Sequence, residues 1–303
     1  MRFLFAAIFV LGIAGPGCAN AAATNTTESI TVNGMKRTYV LHVPNGLTGR
    51  VPLILSFHGH GGDGAGQERL TRMNPLSDRY GFIIAYPDGI DRGWNDGRQA
   101  NANGVDDVAF ANALIDEVEN RYSVDPKRVY ATGFSNGGVF SNYLGCNLAN
   151  RIAAVAPVSG SLPVADVPRC HPERALPVLE IGGTADPIMP FDGGTIVVFG
   201  RNRGQVISFA QDGAFWAKNA SCSATPTTTP LPAIAPPDGT TVTRTSYTGC
   251  HAGADVVEYS VNGGGHTWPD GVPYLPKFVI GKVSHQLNAS ETIVQFFLAH
   301  PKP

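Results

Sequence analysis

Two spacings of apolar residues divide the chain into strands and helices. Residues 51–57 and 82–86 are short, continuous apolar runs, which are typical of strands buried on both faces of a sheet. A stripe of apolar residues at helical spacing predicts a helix, and its members are Val108, Ala111, Ile115, Val118 and Tyr122. Because the two patterns alternate along the chain, we expect a single α/β domain with a mostly parallel central sheet flanked by helices.

The remaining elements are predicted by the same spacings and by turn residues. Asn33-Gly34 lies between two β-type runs, and an Asn-Gly pair in that position favours a hairpin. Further strands are predicted at 128–132, 152–160, 176–181, 241–247 and 255–261, and further helices at 65–80, 205–219 and 290–300. Residues 191–204 are expected to form a glycine-rich loop with exposed apolar residues, and the Thr/Pro/Ala-rich run 223–239 a surface loop.

The composition argues against two classes of partner. The 303 residues carry a formal net charge of -2 and only 15% are charged, which gives no electrostatic basis for binding nucleic acid or an anionic membrane surface. The 36 glycines and 23 prolines suit a loop-rich, extracellular type of protein. The sequence does not predict an oligomeric state.

Residues 1–23 have the features of a signal peptide. Arg2 supplies a positive start, residues 3–13 are apolar, and small residues at 19–23 offer a cleavage site. The apolar run is shorter than the roughly 20 residues that a transmembrane helix needs. A buried N-terminal helix is the alternative. We expect secretion, to the outside of the cell or to a periplasm, of a mature domain at 24–303.

Four cysteines remain once a signal peptide carrying Cys18 is removed, and they are Cys146, Cys170, Cys222 and Cys250. An even number in an exported chain predicts two disulfides, although four cysteines allow more than one pairing. Proximity along the chain favours Cys146–Cys170 and Cys222–Cys250, with free thiols as the alternative. No two of these residues have the Cys-x-x-Cys spacing of a metal site, so we expect no bound metal.

A candidate nucleophile lies between a strand and a helix. Gly133-Phe134-Ser135-Asn136-Gly137 follows the β-type run 128–132 and precedes a run of helical character. Small residues on both sides of Ser135 allow a sharp turn that a β-carbon would obstruct. The turn would present the Ser135 hydroxyl at a helix N-terminus, where developing negative charge is stabilised. A plain glycine-rich turn is the alternative, because such a string also arises by chance.

Ser135 needs a base and an acid, and two later loops offer them. A serine hydroxyl is a poor nucleophile at neutral pH unless an adjacent base, itself oriented by a third group, removes its proton. His266 lies in a glycine-rich turn after one predicted strand, and Asp186 follows another. The order Ser, Asp, His on loops after strands is that of the α/β-hydrolase arrangement. His285 is the alternative base and Asp192 the alternative acid.

An oxyanion hole is predicted beside the nucleophile. The backbone N–H of Asn136 and one from the glycine-dense loop containing Gly59 and His60 should supply its donors. His58 is expected to fix that loop by side-chain hydrogen bonding rather than to act as a base.

Two tryptophans are candidates for lining an apolar acyl pocket. Trp268 comes shortly after His266, and Trp94 lies in a polar loop after a buried strand. Burial in the core is the alternative for both.

Several segments occur together in one order along the chain. They are Phe57-His58-Gly59, Gly81-Phe82-Ile83-Ile84-Ala85-Tyr86-Pro87-Asp88-Gly89, Trp94-Asn95, Val105-Asp106-Asp107-Val108-Ala109-Phe110, Gly133-Phe134-Ser135-Asn136-Gly137-Gly138 and Gly264-Gly265-His266-Thr267-Trp268-Pro269. In this order they resemble the secreted polyhydroxybutyrate depolymerase-like esterases, which include feruloyl and acetylxylan esterases. The resemblance covers nearly the whole mature chain. It implies an α/β-hydrolase fold and hydrolysis of carboxylic esters without a cofactor, with Ser135 as nucleophile, Asp186 as acid and His266 as base.

One departure from this family bears on the substrate. Polymer-degrading depolymerases often have a cysteine after the His-Gly of the oxyanion loop, where this chain has His60. We also expect no appended polymer-binding module. Both points favour a soluble ester, such as a hydroxycinnamoyl group on plant cell-wall polysaccharide, over polyhydroxybutyrate or its oligomers. A rival of another class is a catalytically silent carbohydrate-binding protein with the same fold.

Overall fold

A ten-stranded sheet forms the centre of the described part of the chain, which in this computed structural model comprises residues 23–101 and 104–303. The strands are β1 (Thr24–Val32), β2 (Met35–Val43), β3 (Val51–Phe57), β4 (Ile83–Pro87), β5 (Val124–Phe134), β6 (Ala154–Val158), β7 (Val178–Gly183), β8 (Gly194–Val198), β9 (Arg201–Val206), β10 (Thr227–Pro230), β11 (Thr241–Tyr247) and β12 (Val256–Asn262). The order in the sheet is β1-β2-β4-β3-β5-β6-β7-β12-β11-β10, and β8 pairs with β9 in a separate hairpin. Of the predicted signal peptide 1–23, residues 1–22 lie outside the described residues.

The middle of the sheet, from β4 to β12 in this order, is parallel, and antiparallel strands complete both edges. Side chains of β3 alternate between two cores, because Leu53 and Leu55 pack into one and Ile54 into the other. Burial on both faces explains the continuous apolar run of this strand. The predicted fold class, a mostly parallel sheet flanked by helices, is confirmed.

Helices cover both faces of the sheet. They are α1 (Gly64–Thr71), α2 (Asn74–Tyr80), α3 (Asp107–Arg121), α4 (Asn136–Asn147), α5 (Phe209–Asn219), α6 (Lys277–Ile280) and α7 (Ala289–Ala299). Buried side chains of α3, α4 and α5 join one core, and those of α1, α2 and α7 join the other. Among the helices of the described residues, none is long and apolar enough to cross a membrane.

Two aspartates at the start of α3 have different structural roles. Asp106 is the N-cap, and its side chain accepts a hydrogen bond of 2.8 Å from the backbone N–H of Ala109. Asp107 is buried, pairs with Arg37 of β2 at 2.6 Å and accepts from the backbone N–H of Asn95 at 2.7 Å. Asp107 therefore connects α3 to β2 of the sheet and to the loop after β4.

Both predicted disulfides are confirmed. Cys146, in the last turn of α4, is bonded to Cys170, and Cys222 is bonded to Cys250. The first bond connects α4 to the segment between β6 and β7. The second connects the chain after α5 to the chain after β11, so each bond closes one surface loop.

Two segments predicted as loops contain strands. Residues 191–204 lie mostly in the β8–β9 hairpin, whose Ile196 and Val206 are buried against Val139 of α4. The many glycines obscured the alternating apolar positions of this hairpin. Within 223–239, β10 pairs with β11 at the edge of the sheet, where proline is tolerated because no further strand needs its missing N–H.

Candidate active site

Ser135 is the residue at which β5 passes into α4. Its backbone has φ 55° and ψ -117°. Residues other than glycine rarely adopt this conformation, which costs on the order of 1–3 kcal/mol. A β-carbon on Gly133 would overlap the carbonyl oxygen of Gly137, and one on Gly137 would overlap that of Phe57. The Gly-x-Ser-x-Gly pattern therefore meets a steric requirement of this turn.

The three residues predicted as nucleophile, base and acid lie in one hydrogen-bonded row. The Nε2 atom of His266 is 2.8 Å from the Ser135 hydroxyl, and its Nδ1 atom is 2.7 Å from Oδ2 of Asp186. The His266 and Asp186 side chains are only 3% and 2% exposed. The Asp186 carboxylate can only accept a hydrogen bond, so Nδ1 of His266 carries the ring proton and donates it. Nε2 is then unprotonated and can accept a hydrogen bond from the Ser135 hydroxyl. The geometry is suited to deprotonating Ser135.

The loops that carry Asp186 and His266 are fixed to each other. The other carboxylate oxygen of Asp186, Oδ1, accepts from the backbone N–H groups of Ile188 and Met189, both at 2.8 Å. The backbone N–H of Ala185 donates to the carbonyl oxygen of Gly264 at 2.9 Å. Asp186 is therefore held by its own loop while one oxygen faces the histidine.

The two alternatives to these residues lie elsewhere. His285 is exposed and its Nδ1 atom pairs with Asp270 at 3.1 Å. Asp192 is exposed, and His266 contacts Asp186 instead. Neither alternative is part of the row that contains Ser135.

Asn136 is fixed by its side chain. Its Oδ1 atom accepts from the backbone N–H of Trp94 at 2.8 Å, and its Nδ2 atom donates to the Trp94 carbonyl oxygen at 3.1 Å and to Asp96 at 2.6 Å. As the first residue of α4, Asn136 has a backbone N–H without an acceptor in the helix. This N–H is available to a ligand beside Ser135.

The glycine-dense loop after β3 lies against the nucleophile. A β-carbon on Gly59 would be 3.4 Å from the β-carbon of Ser135. Gly89 donates its backbone N–H to Nε2 of His58 at 2.9 Å, so Nδ1 of His58 carries the proton and donates to the Gly59 carbonyl oxygen at 2.8 Å. Burial lowers the pKa of His58, in agreement with a neutral ring. His58 has the loop-fixing contacts that the sequence predicts, and His60 is exposed next to it.

The prediction that Trp94 and Trp268 line an acyl pocket is wrong. Both side chains are 1% exposed. Trp94 stacks on Phe140 and donates its indole N–H to the His58 carbonyl oxygen at 2.9 Å, while Trp268 donates to Ser290 at 3.0 Å. Both tryptophans are therefore core residues that pack beneath the loops of the site.

An apolar cavity of about 420 Å³ opens beside Ser135 and His266. Its apolar lining comes mainly from Leu70, Phe134, Ile188, Phe199, Tyr274 and Leu275. Phe199 lies in the turn between β8 and β9 and is 84% exposed. The sequence predicts exposed apolar residues in that segment, but their place at the site depends on the hairpin, which the glycine-rich pattern does not reveal.

Three carboxyl groups lie buried beneath the loops of Asp186 and His266. Glu180 of β7 and Glu258 of β12 are partners in the strand register, and Asp212 of α5 packs beside them. Burial raises the pKa of all three groups, to about 7 for Asp212 and about 8 for Glu258. Asp212 accepts from the Asn142 amide and from the backbone N–H of Leu162, and none of the three carboxyl groups lines the cavity beside Ser135. Among the described residues, no group of acidic, His or Cys side chains could hold a metal ion.

Known proteins resemble the chain at the level of sequence. A family model described as Esterase PHB depolymerase matches residues 37–217, a range that includes Ser135 and Asp186 and ends before His266. A putative esterase, NocK, from Nocardia uniformis subsp. tsuyamanensis is 36% identical over 292 residues, which are 92% of this chain and 84% of that protein. Feruloyl esterase B from Piromyces equi is 34% identical over 247 residues, which are 78% of this chain but 43% of that protein.

A solved structure resembles the chain at the level of fold. Acetyl xylan esterase from Aspergillus awamori superposes with a TM-score of 0.55 over 80% of this chain and 94% of that chain. The identity is 18%, so this likeness concerns the fold alone. It agrees with the central parallel sheet described above.

Proposed function

Because the chain belongs to the polyhydroxybutyrate depolymerase family of esterases and is a carboxylic ester hydrolase, we propose that it is a secreted serine esterase of the feruloyl esterase type. In this proposal it releases hydroxycinnamates from plant cell-wall polysaccharide. The observation that carries the proposal is the hydrogen-bonded row from Asp186 through His266 to Ser135.

The first half of the reaction forms an acyl-enzyme. The Ser135 oxygen attacks the ester carbonyl while Nε2 of His266 takes the hydroxyl proton. Asp186 stabilises the imidazolium that results and holds the ring in place. The carbonyl then re-forms as the carbon–oxygen bond to the alcohol breaks, and His266 gives its proton to the leaving alcohol.

The second half of the reaction releases the acid. His266 removes a proton from water, the resulting hydroxide attacks the acyl carbonyl, and the proton returns to Ser135 as the acid departs. In both halves, negative charge develops on the carbonyl oxygen. We assign its stabilisation to the backbone N–H of Asn136 and to one from the loop of Gly59 and His60.

The apolar cavity supports an aromatic acyl group. Its volume of about 420 Å³ lies within the usual size range of small-molecule sites, and Phe134, Phe199 and Tyr274 offer ring surfaces. A planar hydroxycinnamoyl group could pack between such rings. Secretion is supported by the two disulfides, which persist mainly in oxidising compartments.

The exposure of Phe199 favours a second candidate substrate. An aromatic side chain that is 84% exposed at the cavity mouth could also contact a polyester chain such as polyhydroxybutyrate or its oligomers. Sequence likeness to the depolymerase model is consistent with this second candidate. The two candidates share the chemistry and differ only in the acyl and alcohol groups.

The test compares hydrolysis of methyl ferulate with that of a 3-hydroxybutyrate oligomer, using p-nitrophenyl acetate as a general ester and Ser135→Ala as the blank. We expect a higher kcat/KM for methyl ferulate and no turnover of any ester by the blank. A higher kcat/KM for the oligomer would replace the feruloyl proposal with the polyester one. Undiminished turnover by the variant would remove Ser135 as nucleophile, and carbohydrate binding without turnover in the unmutated protein would indicate the silent alternative.

A further inference from the structure

A second, smaller cavity adjoins Ser135, and polar and cationic groups form part of its wall. Its polar lining consists of Ser135, Asn136, His60, Arg98 and Arg203, and we call it the arginine cavity. Its volume of about 20 Å³ is enough for about one water molecule, so it can admit only the tip of a group that lies in the larger cavity, with which it shares Ser135 and His60. The rest of its wall is apolar and includes Met189 and Ile196, which are both buried.

The two arginines of this cavity differ in their partners. Arg98 is paired with Asp96, since its Nε donates to both carboxylate oxygens at 3.1 and 3.0 Å, and its Nη1 donates to the carbonyl oxygen of Arg203 at 3.0 Å. The Arg203 side chain has no ion pair or hydrogen bond with any residue that the structure describes. Its Nε atom is buried and has no hydrogen-bond partner. Arg203 is half-buried, so it presents a buried, unpartnered Nε–H to the cavity while the rest of its guanidinium is partly in contact with solvent.

Among the described residues, the wall of the arginine cavity contains no acidic side chain that could pair with Arg203. Asp96 is already bound by Arg98 and by the Asn136 amide. His60 is exposed, but the part of its ring that loses water, together with the charges of Arg203 and Arg98, lowers its pKa and so favours the neutral ring. A buried N–H without an acceptor is unfavourable, and a bound anion would supply the missing acceptor.

We propose that Arg203 binds a carboxylate carried by the substrate close to its scissile ester, so that the enzyme prefers an acidic ester to the neutral ester of the same shape. A guanidinium matches a carboxylate because two parallel N–H groups can bind its two oxygens. The carboxylate could belong to the alcohol part, as in an ester of a hydroxy acid or sugar acid, or to the acyl part, as in a half-ester. The inference rests on the proposed function, because only a nucleophilic Ser135 places the reacting carbonyl beside this cavity.

The test uses two pairs of esters that differ only in charge. 3-Acetoxybutyrate and 3-acetoxybutyramide carry a carboxylate or a carboxamide on the alcohol part, and monomethyl glutarate and methyl glutaramate carry them on the acyl part. We expect the unmutated enzyme to prefer the acid in one pair, which identifies the part that enters the arginine cavity. Arg203→Gln should lower that acid-to-amide ratio of kcat/KM about tenfold or more, mainly through a higher KM for the acid.

A neighbouring arginine provides the matched control. Arg201 is an exposed residue of the same strand, β9, and does not line the cavity. Arg201→Gln removes the same charge from the hairpin and should keep the preference for the acid. Arg203→Lys, which keeps a charge but not the two parallel donors, should give an intermediate ratio and serves if Arg203→Gln does not fold.

Three outcomes would overturn the proposal. They are no preference for either acid in the unmutated enzyme, the same ratio in Arg203→Gln as in the unmutated enzyme, and an equal loss of activity toward acid and amide. Each leaves the proposed function in place as long as the amide esters are hydrolysed and Ser135→Ala does not hydrolyse them. Unchanged hydrolysis by Ser135→Ala would instead reject the proposed function.

Discussion

The side-chain amide of Asn136 donates a hydrogen bond of 2.6 Å to the carboxylate of Asp96, and both residues are buried. The same side chain binds the backbone N–H and C=O of Trp94. The residue that follows Ser135 is thus attached to the loop after β4 from the inside of the protein. The direction of its backbone N–H is set by these contacts before any substrate binds.

Asn136→Ala should lower kcat for a simple ester about 100-fold and change KM little, because small displacements of groups that act on the transition state have effects of this size. Steady-state kinetics with p-nitrophenyl acetate measures both constants. Asn147→Ala is the control, since Asn147 is an exposed residue of the same helix, and its kcat should be unchanged. A kcat for Asn136→Ala near that of the unmutated enzyme would contradict a role for this side chain in catalysis.

Asp186→Asn should lower kcat by about 10⁴-fold, because a neutral amide no longer stabilises the histidine tautomer in which Nε2 accepts from Ser135. Asp192→Asn should retain full activity, since Asp192 is exposed and His266 contacts the other aspartate. The measurement is kcat for both variants at one pH with matched substrate. The reverse pattern would make Asp192 the acid.

The buried carboxyl groups predict that the protein loses stability as the pH rises. Burial raises the pKa of Asp212 to about 7 and that of Glu258 to about 8, whereas in the unfolded chain both titrate near their ordinary acidic values. Between about pH 5 and pH 8 the folded state therefore holds more protons than the unfolded state, and the free energy of unfolding falls as the pH increases. At pH values below this range, the contribution of the two protonated carboxyl groups to the free energy of unfolding has its full value relative to high pH.

Glu258→Gln tests this pH dependence, because it removes one titrating group and keeps the shape of the side chain. The free energy of unfolding of the variant should fall less steeply between pH 5 and pH 8, by up to about 1.4 kcal/mol per pH unit. Denaturant titrations at pH 5, 6, 7 and 8 give the two slopes. Parallel slopes for both proteins would show that Glu258 titrates at an ordinary value.

The disulfide between Cys222 and Cys250 joins residues 28 positions apart. Replacing both by serine should lower the free energy of unfolding by about 3 kcal/mol, mainly because the unfolded chain gains freedom. Denaturant titration measures this change. Intact mass and thiol labelling check the unmutated protein. Its four paired cysteines, Cys146, Cys170, Cys222 and Cys250, should be labelled only after reduction. Labelling of any of them without reduction would contradict the pairing.

Phe199→Ala should raise KM for methyl ferulate about fivefold and leave thermal stability unchanged, because the side chain is exposed at the cavity mouth and contributes contact area to an acyl group. Phe278→Ala is the control. Phe278 is similarly exposed, at 89%, and does not line the cavity, so its KM should stay constant. Equal effects of both substitutions would indicate a general role of surface aromatics instead of a specific contact.

Local steric demands made part of this site predictable from sequence. Glycines at 133 and 137 are required by close backbone contacts, so the turn around Ser135 leaves a signature within a few residues. The positions of Asp186 and His266 were predictable from strand order, because parallel strands end at the same edge of the sheet. Both disulfide pairs followed from proximity along the chain.

Features that depend on packing between distant segments were not predictable in the same way. The burial of Trp94 and Trp268 depends on contacts with residues such as Phe140 and Ser290, which are distant in sequence. The cavity lining depends on the β8–β9 hairpin, whose glycines resemble those of a loop. The meeting of Glu180 and Glu258 depends on the register of β7 and β12, which no local pattern reveals.

The backbone angle of Ser135 has a consequence for laboratory evolution of this protein. Glycine adopts positive φ without steric cost, so Ser135→Gly would relieve strain of on the order of 1–3 kcal/mol while removing the hydroxyl. A selection that rewards only heat resistance would therefore enrich proteins that cannot turn over an ester. Libraries made from this chain need a screen for turnover in every round.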